Sequence, residues 1–299
     1  MQIREALQQA KQILKAAAID TASLDANLLL SHVTSLSKVM LIAHDEDELS
    51  KEQEDKFFSL INKRKSGYPI AYILGYKEFF GLRLKVTEDT LIPRPDTEVL
   101  VEEVIELAKK KDAKNILDIG TGSGAITVSL AKYLENVKVT SVDISDIALE
   151  IGKRNAISNE VDDRINFVKS DLFTNIDKET KFDIIVSNPP YIKREVIDTL
   201  DKQVKDYEPY NALEGGVDGL DFYRAITKQA KNYLKKGGIL AYEVGHDQSK
   251  DVSKLMEMDG YTNIYTLKDL QQIDRVVIGT VLWYNELLEI VRKKRWTVC

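Results

Sequence analysis

The sequence predicts an α/β protein, a mostly parallel sheet with helices on both faces, preceded by a small all-helical domain. Three observations predict it. From residue 114 onward, short apolar runs of strand length alternate with helix-length segments. The first 67 residues instead carry apolar stripes at helical spacing. Between these regions lies a stretch rich in aromatic and alternating residues, broken by a glycine. The expected organisation is a helical bundle over 1–67, a connector over 68–95, a catalytic domain over 96–284 and a helical tail over 285–299.

Residues 3–17 place Ile3, Ala6, Leu7, Ala10, Ile13, Leu14 and Ala17 on one face of a helix. A leucine-rich helix is expected over Leu24–Val33. Ser50 to Gln53 forms a capping box ahead of Phe57, Phe58 and Ile61, and Gly67 and Pro69 stop that helix. These stripes are what a small core needs, and the helical domain carries no evident chemistry.

Tyr76 to Val86 reads as a β-hairpin around Gly81. Leu91-Ile92-Pro93-Arg94-Pro95 is stiffened by its prolines and leads into a helix that Asp96 or Thr97 can cap. Arg94 reads as a structural ion-pair partner. The strands expected beyond are Asn115–Ile119, Lys138–Val142, Ile165–Lys169, Phe182–Ser187 and Ile239–Val244, with helices over Ala125–Leu134 and Ile147–Ser158. Past Gly279, Trp283, Leu287, Leu288, Arg292, Arg295 and Trp296 suggest a further amphipathic helix with a basic end.

Composition narrows the function classes. With 43% hydrophobic and 30% charged residues, the chain is that of a globular protein. Acidic groups (48) exceed basic ones (42), a balance that disfavours wrapping duplex DNA, where phosphates call for surplus Lys and Arg. The single cysteine, Cys299, rules out an internal disulfide, and His32, His44 and His246 lack metal-ligand spacing, so no metal is expected. No apolar run reaches the length of a membrane span, and the amino terminus does not read as a signal peptide. A cytoplasmic monomer without a membrane partner is the expectation.

The first strand of the alternating region runs straight into Asp118-Ile119-Gly120-Thr121-Gly122-Ser123-Gly124, and a helix follows. Such glycines permit tight turns and let a ligand lie against bare backbone. Asp143 ends the second strand, where an acid can accept both hydroxyls of a ribose. Asp171 is expected to end the third strand, with Leu172 beside it to hold an adenine ring. This constellation fits either S-adenosyl-L-methionine or a dinucleotide. Asp118 and Gly124 tilt it toward the former.

After the fourth strand comes Asn188-Pro189-Pro190-Tyr191. Ligands of open α/β sheets sit at the carboxyl ends of strands, so this loop shares a crevice with the glycine loop. Its residue types suit methylation of a planar, poorly nucleophilic NH₂ group. The Asn188 oxygen and the Pro189 carbonyl can each accept one N–H, the prolines stiffen the loop, and Tyr191 can pack on a flat amide or base. Two aimed acceptors act by positioning and electrostatic preorganisation, without a titrating base. Amide and adenine remain equally possible targets of such a loop.

The sequence as a whole resembles the N5-glutamine methyltransferases of class I peptide chain release factors, the PrmC or HemK family. The resemblance is carried by Leu24-Asp25-Ala26, by Pro69 to Gly75 with Lys77-Glu78-Phe79, and by Leu91 to Glu98. It continues through Glu208-Pro209, Gly215 to Leu220, Tyr223, Glu243 to Gly245 with Gln248, and Asp274 to Val277. It implies a Rossmann-like class I methyltransferase fold, S-adenosyl-L-methionine as cofactor, and as substrate the glutamine of the Gly-Gly-Gln loop of a release factor. By the same resemblance Gly120 to Gly124, Asp143, Leu172 and Asn188 contact the cofactor, while Asn188, Pro189 and Tyr191 hold the glutamine. The helical domain would recognise the protein partner. Competing readings are a glutamine methyltransferase of a ribosomal protein, an adenine-N6 nucleic-acid methyltransferase, a nicotinamide-dependent oxidoreductase, and a factor that binds without modifying.

Overall fold

The computed structural model describes residues 1–281. The expected tail over 285–299 and the last residues of the expected 96–284 domain lie outside the described residues. Five helices come first: α1 (Ile3–Ala16), α2 (Ala22–Thr34), α3 (Lys38–Ala43), α4 (Lys51–Lys65) and α5 (Ile70–Leu74). A hairpin of β1 (Tyr76–Phe79) and β2 (Leu82–Lys85) precedes α6 (Pro95–Lys111). Then β3 (Asn115–Ile119), α7 (Ala125–Tyr133), β4 (Lys138–Asp143), α8 (Asp146–Ser158), β5 (Ile165–Lys169) and β6 (Phe182–Ser187) follow. Beyond them lie α9 (Lys202–Lys205), α10 (Asp221–Ala230), β7 (Leu234–Glu243), α11 (Ser249–Met258), β8 (Tyr261–Lys268) and β9 (Asp274–Val281). None of the described helices is long and apolar enough to cross a membrane.

The chain divides into two compact units, one of Met1–Tyr76 with Leu200–Tyr207, the other of Lys77–Thr199 with the residues from Glu208 onward. The expected division at residue 67 and the separate connector over 68–95 are therefore corrected. Helix α5 packs Ile70, Ile73 and Leu74 on the helical core of Leu14, Leu29, Phe57 and Ile61, so it belongs to the first unit. The hairpin instead buries Phe79, Leu82 and Leu84 in the core of the second. In the helical unit, Ser50 accepts from the Gln53 N–H at 3.2 Å and Gln53 returns the bond, as its capping box requires. The buried Asp25 carboxylate is paired with Arg64 at 2.7 Å, and Arg64 also donates to the Tyr68 carbonyl.

The second unit is built on a seven-stranded sheet in the order β5-β4-β3-β6-β7-β9-β8. The first five strands of that order are parallel; β9 and β8 close the other edge antiparallel. Alternating side chains separate two cores, as the strand period demands. Ile116, Ile184, Ile239, Ala241 and Ile278 pack with α6 and α7 on one face. Leu117, Ile185, Leu240, Tyr242 and Val277 pack with α10 and α11 on the other. The helix after the proline segment starts one step earlier than expected. Arg94 is its N-cap and Pro95 its first residue, the position where a missing N–H costs nothing, so Asp96 and Thr97 lie within the first turn.

Chain order runs outward from β3 through β4 to β5, then returns to β6 on the opposite side of β3. The crossover helices must diverge there, and a crevice opens beyond the carboxyl ends of β3 and β6.

Candidate active site

Ile119 and Ser187 are register partners at the ends of β3 and β6, so the glycine loop and the tetrapeptide leave the sheet side by side. The Ser187 hydroxyl ties the two strands together, donating to the Ile119 carbonyl at 2.7 Å. Above them lies a cavity of about 460 Å³, within the size range of small-molecule sites. Its wall includes Gly120, Thr121, Gly122, Ser123, Asp143, Asp171, Leu172, Asn188, Pro189 and Pro190.

The glycine loop is held by its neighbours. The N–H groups of Gly120 and Thr121 donate to the Val142 carbonyl at 2.9 and 3.0 Å. Gly120 and Gly122 adopt φ values of +92° and +53°, which L side chains rarely tolerate, and no atom lies within 4 Å of where a Gly122 Cβ would stand. Bare backbone thus faces the cavity. Asn155 of α8 secures the far side, accepting from the Lys85 N–H at 2.6 Å and donating to the carbonyls of Lys85 and Ser123.

Asp143 is partly exposed in the wall, and its two oxygens accept from the N–H groups of Gly122 and Ser145, each at 2.9 Å. A carboxylate has about four acceptor sites, so one remains on each oxygen for a ligand's hydroxyl. Asp171 does not end β5, which stops at Lys169; it stands beyond Ser170 in the following bend. Leu172 takes φ +48° there, with its carbonyl accepting from Ser170 Oγ at 2.9 Å.

Asp118, Gly124 and Tyr191 stand behind the wall. The Asp118 carboxyl is fully buried and accepts from the Thr127 hydroxyl at 2.5 Å. Burial pushes its pKa up to about 7 against the Thr127 hydrogen bond, and the nearby Asp143 charge adds to the rise. Gly124 caps α7 at φ +81°, where a Cβ would come within 3.1 Å of Gly152 Cα, so its glycine serves helix packing. The Tyr191 phenol points to Glu243 at 3.5 Å, and burial raises its pKa above the ordinary tyrosine value.

Asn188 is oriented from beneath, its Nδ2 donating to the buried Thr97 hydroxyl at 3.3 Å. Gln248 clamps the tetrapeptide's exit, donating to the carbonyls of Tyr191 at 2.9 Å and Gly219 at 3.2 Å. Arg94 does form an ion pair, with the buried Glu208 at 2.5 Å, and the Ile92 N–H reaches the same carboxylate. Arg275 joins Asp96 at 3.1 Å to Asp269 at 2.9 Å. Thr97, Asn155, Glu243 and Gln248 were given no site role from the sequence. Thr97, Asn155 and Gln248 sit among other polar residues in the sequence, and all four are set apart only by their burial and their partners in the fold.

Comparison with known proteins bears on what this crevice serves. The description "PrmC N-terminal domain" matches residues 5–75, and "Methyltransferase small domain" matches residues 95–204. The release factor glutamine methyltransferase of Clostridium acetobutylicum is 44% identical over 93% of this chain and 98% of its own length. The chain belongs to the release factor glutamine methyltransferase family. The Clostridium botulinum member is 42% identical over 93% of this chain and 98% of its length. A methyltransferase from Pyrococcus furiosus, 23% identical, shares the fold with a TM-score of 0.51 over 75% of this chain and 96% of its own. The fold is thus the Rossmann-like methyltransferase sheet preceded by the family's helical domain, and the protein is a methyltransferase.

Proposed function

We propose that this protein methylates the side-chain amide nitrogen of the glutamine in the Gly-Gly-Gln loop of class I release factors, with S-adenosyl-L-methionine as methyl donor. The observation that carries the reading is the pairing of Ile119 with Ser187, which puts a ligand-ready glycine loop beside Asn188-Pro189-Pro190-Tyr191 at one strand switch. Family membership selects the amide over an adenine.

The residues present fit the cofactor. Bare backbone from Gly120 to Ser123, a carboxylate with acceptor sites to spare at Asp143, and the apolar wall at Ile119, Ala148 and Leu172 match its charged, sugar and ring portions. When bound, it supplies a methyl group activated on a sulfonium. The chain's own part is positioning. With Nδ2 committed to Thr97, Asn188 offers Oδ1 to one N–H of the substrate amide, and the Pro189 carbonyl takes the other. Both acceptors stabilise positive charge as it develops on that nitrogen. Asp118 and Gly124 contribute from behind by shaping the loop.

The test offers labelled S-adenosylmethionine and the purified protein three separate acceptors: unmethylated release factor, ribosomal protein and adenine-containing DNA. Label is expected in release factor. Label in DNA with none in release factor would overturn the reading.

A further inference from the structure

Glu243 is the last residue of β7, and its neighbour Tyr242 pairs in register with Ser187, the residue before the tetrapeptide. The carboxyl is therefore delivered to the strand end beside Asn188. It is 2% exposed, and Oε2 has no hydrogen-bond partner. A buried carboxyl oxygen left unpaired is rare enough to need an explanation.

Its surroundings supply one. From the tetrapeptide, the Tyr191 hydroxyl lies 3.5 Å from Oε1. From α10, Tyr223 donates to the Glu243 main-chain carbonyl at 2.9 Å. Burial pushes the Glu243 carboxyl up to about 7; the Thr97 hydroxyl opposes the rise, Asp96 adds to it, and Arg275 and Asn188 oppose it. Thr97 and Asp96 come from α6 and Arg275 from β9.

Thr97 has one proton to give. An ionised Glu243 can only accept, so a Thr97 hydroxyl turned toward it keeps its oxygen for Asn188 Nδ2, the contact present at 3.3 Å. The nitrogen and oxygen of a planar amide point apart, which leaves Asn188 Oδ1 for the cavity. A protonated Glu243 can itself donate to Thr97. The Thr97 proton is then free to face Asn188, and nothing holds the amide in its acceptor orientation.

We propose that Glu243 is a positioning residue which, through Thr97, fixes the Asn188 side chain as a hydrogen-bond acceptor for the substrate amide. The proposal rests on the reading of Asn188 given under Proposed function. It makes the ionised Glu243 the competent form, so turnover rises as pH increases through about 7.

The experiment measures kcat and KM against pH for the full-length wild-type protein, Glu243→Gln and Thr97→Val, with S-adenosylmethionine and unmethylated release factor. The wild type is expected to show the rise near neutrality. Glu243→Gln should lose that inflection and about 10-fold in kcat at the alkaline end, the scale of one charge-assisted hydrogen bond. Its affinity for S-adenosylmethionine alone, measured by calorimetry, should be unchanged. Thr97→Val should reproduce the lost inflection although Glu243 is intact. A folded Glu243→Gln variant with the wild-type kcat and inflection would overturn the proposal. Should that variant fail to fold, Thr97→Val decides, and a wild-type pH profile in it is equally fatal. A wild-type protein that transfers nothing to release factor would sink the functional reading and this proposal with it.

Discussion

Asn188 has an amide with two ends, and the fold has already spent one of them. Nδ2 is held by Thr97, so removing the side chain removes the acceptor at Oδ1 while leaving a buried hydroxyl that can turn to Glu243. Asn188→Ala should therefore lower kcat by about 10²-fold or more, the scale of one lost oxyanion-type hydrogen bond, with the fold retained. Near-normal turnover would mean the tetrapeptide is only a strand cap. Asp143 makes a separate contribution. Its oxygens organise the Gly122 and Ser145 N–H groups and are read as accepting the ribose hydroxyls. Asp143→Ala should weaken S-adenosylmethionine binding by about 10-fold or more, because two charge-assisted hydrogen bonds go together. Unchanged affinity by calorimetry would contradict that assignment.

At the level of elements, the segment from Leu213 to Gly219 buttresses the tetrapeptide. Ile192 and Gly215 exchange hydrogen bonds with the segment and the chain after Tyr191, and Gln248 bolts Tyr191 to Gly219. A Cβ on Gly215 would stand 2.7 Å from both the Pro190 carbonyl oxygen and Tyr191 Cα, and both are backbone that cannot swing aside. Gly215→Ala should thus displace the loop, cutting turnover by at least about 10-fold while cofactor affinity is kept. Equal loss of cofactor affinity would place the damage elsewhere. Elements with a strong period were legible in the sequence. Helix α1, the hairpin and the strands β3, β4, β5 and β6 follow from their apolar spacing within a residue or so. Helices α10 and α11 and the edge strand β8 were not read out. Strand β8, Tyr261–Lys268, buries only Tyr261, its alternation breaks at the exposed pair Tyr265 and Thr266, and its register with β9 shifts twice.

Across the whole molecule, the site arises because three strand ends meet: β3 brings the glycine loop, β6 the tetrapeptide and β7 Glu243. The first two were visible as motifs, since each packs several unusual residues into one short stretch. Glu243 was not, because its meaning depends on the pairing of its neighbour Tyr242 with Ser187, distant in sequence and adjacent only in the sheet. The same holds for the division into units. Leu200–Tyr207 returns to the helical unit, and nothing in its local composition sets it apart from the loop around it. The central claim is that these strand ends direct a methyl group to an amide nitrogen of a protein. It is tested most directly by fragmenting peptides of release factor after reaction with S-adenosylmethionine and mapping the added mass. The account predicts one methyl group on the side-chain nitrogen of the Gly-Gly-Gln glutamine, formed far more slowly with Asn188→Ala; a methyl group on any other residue, or none with the wild type, would contradict it.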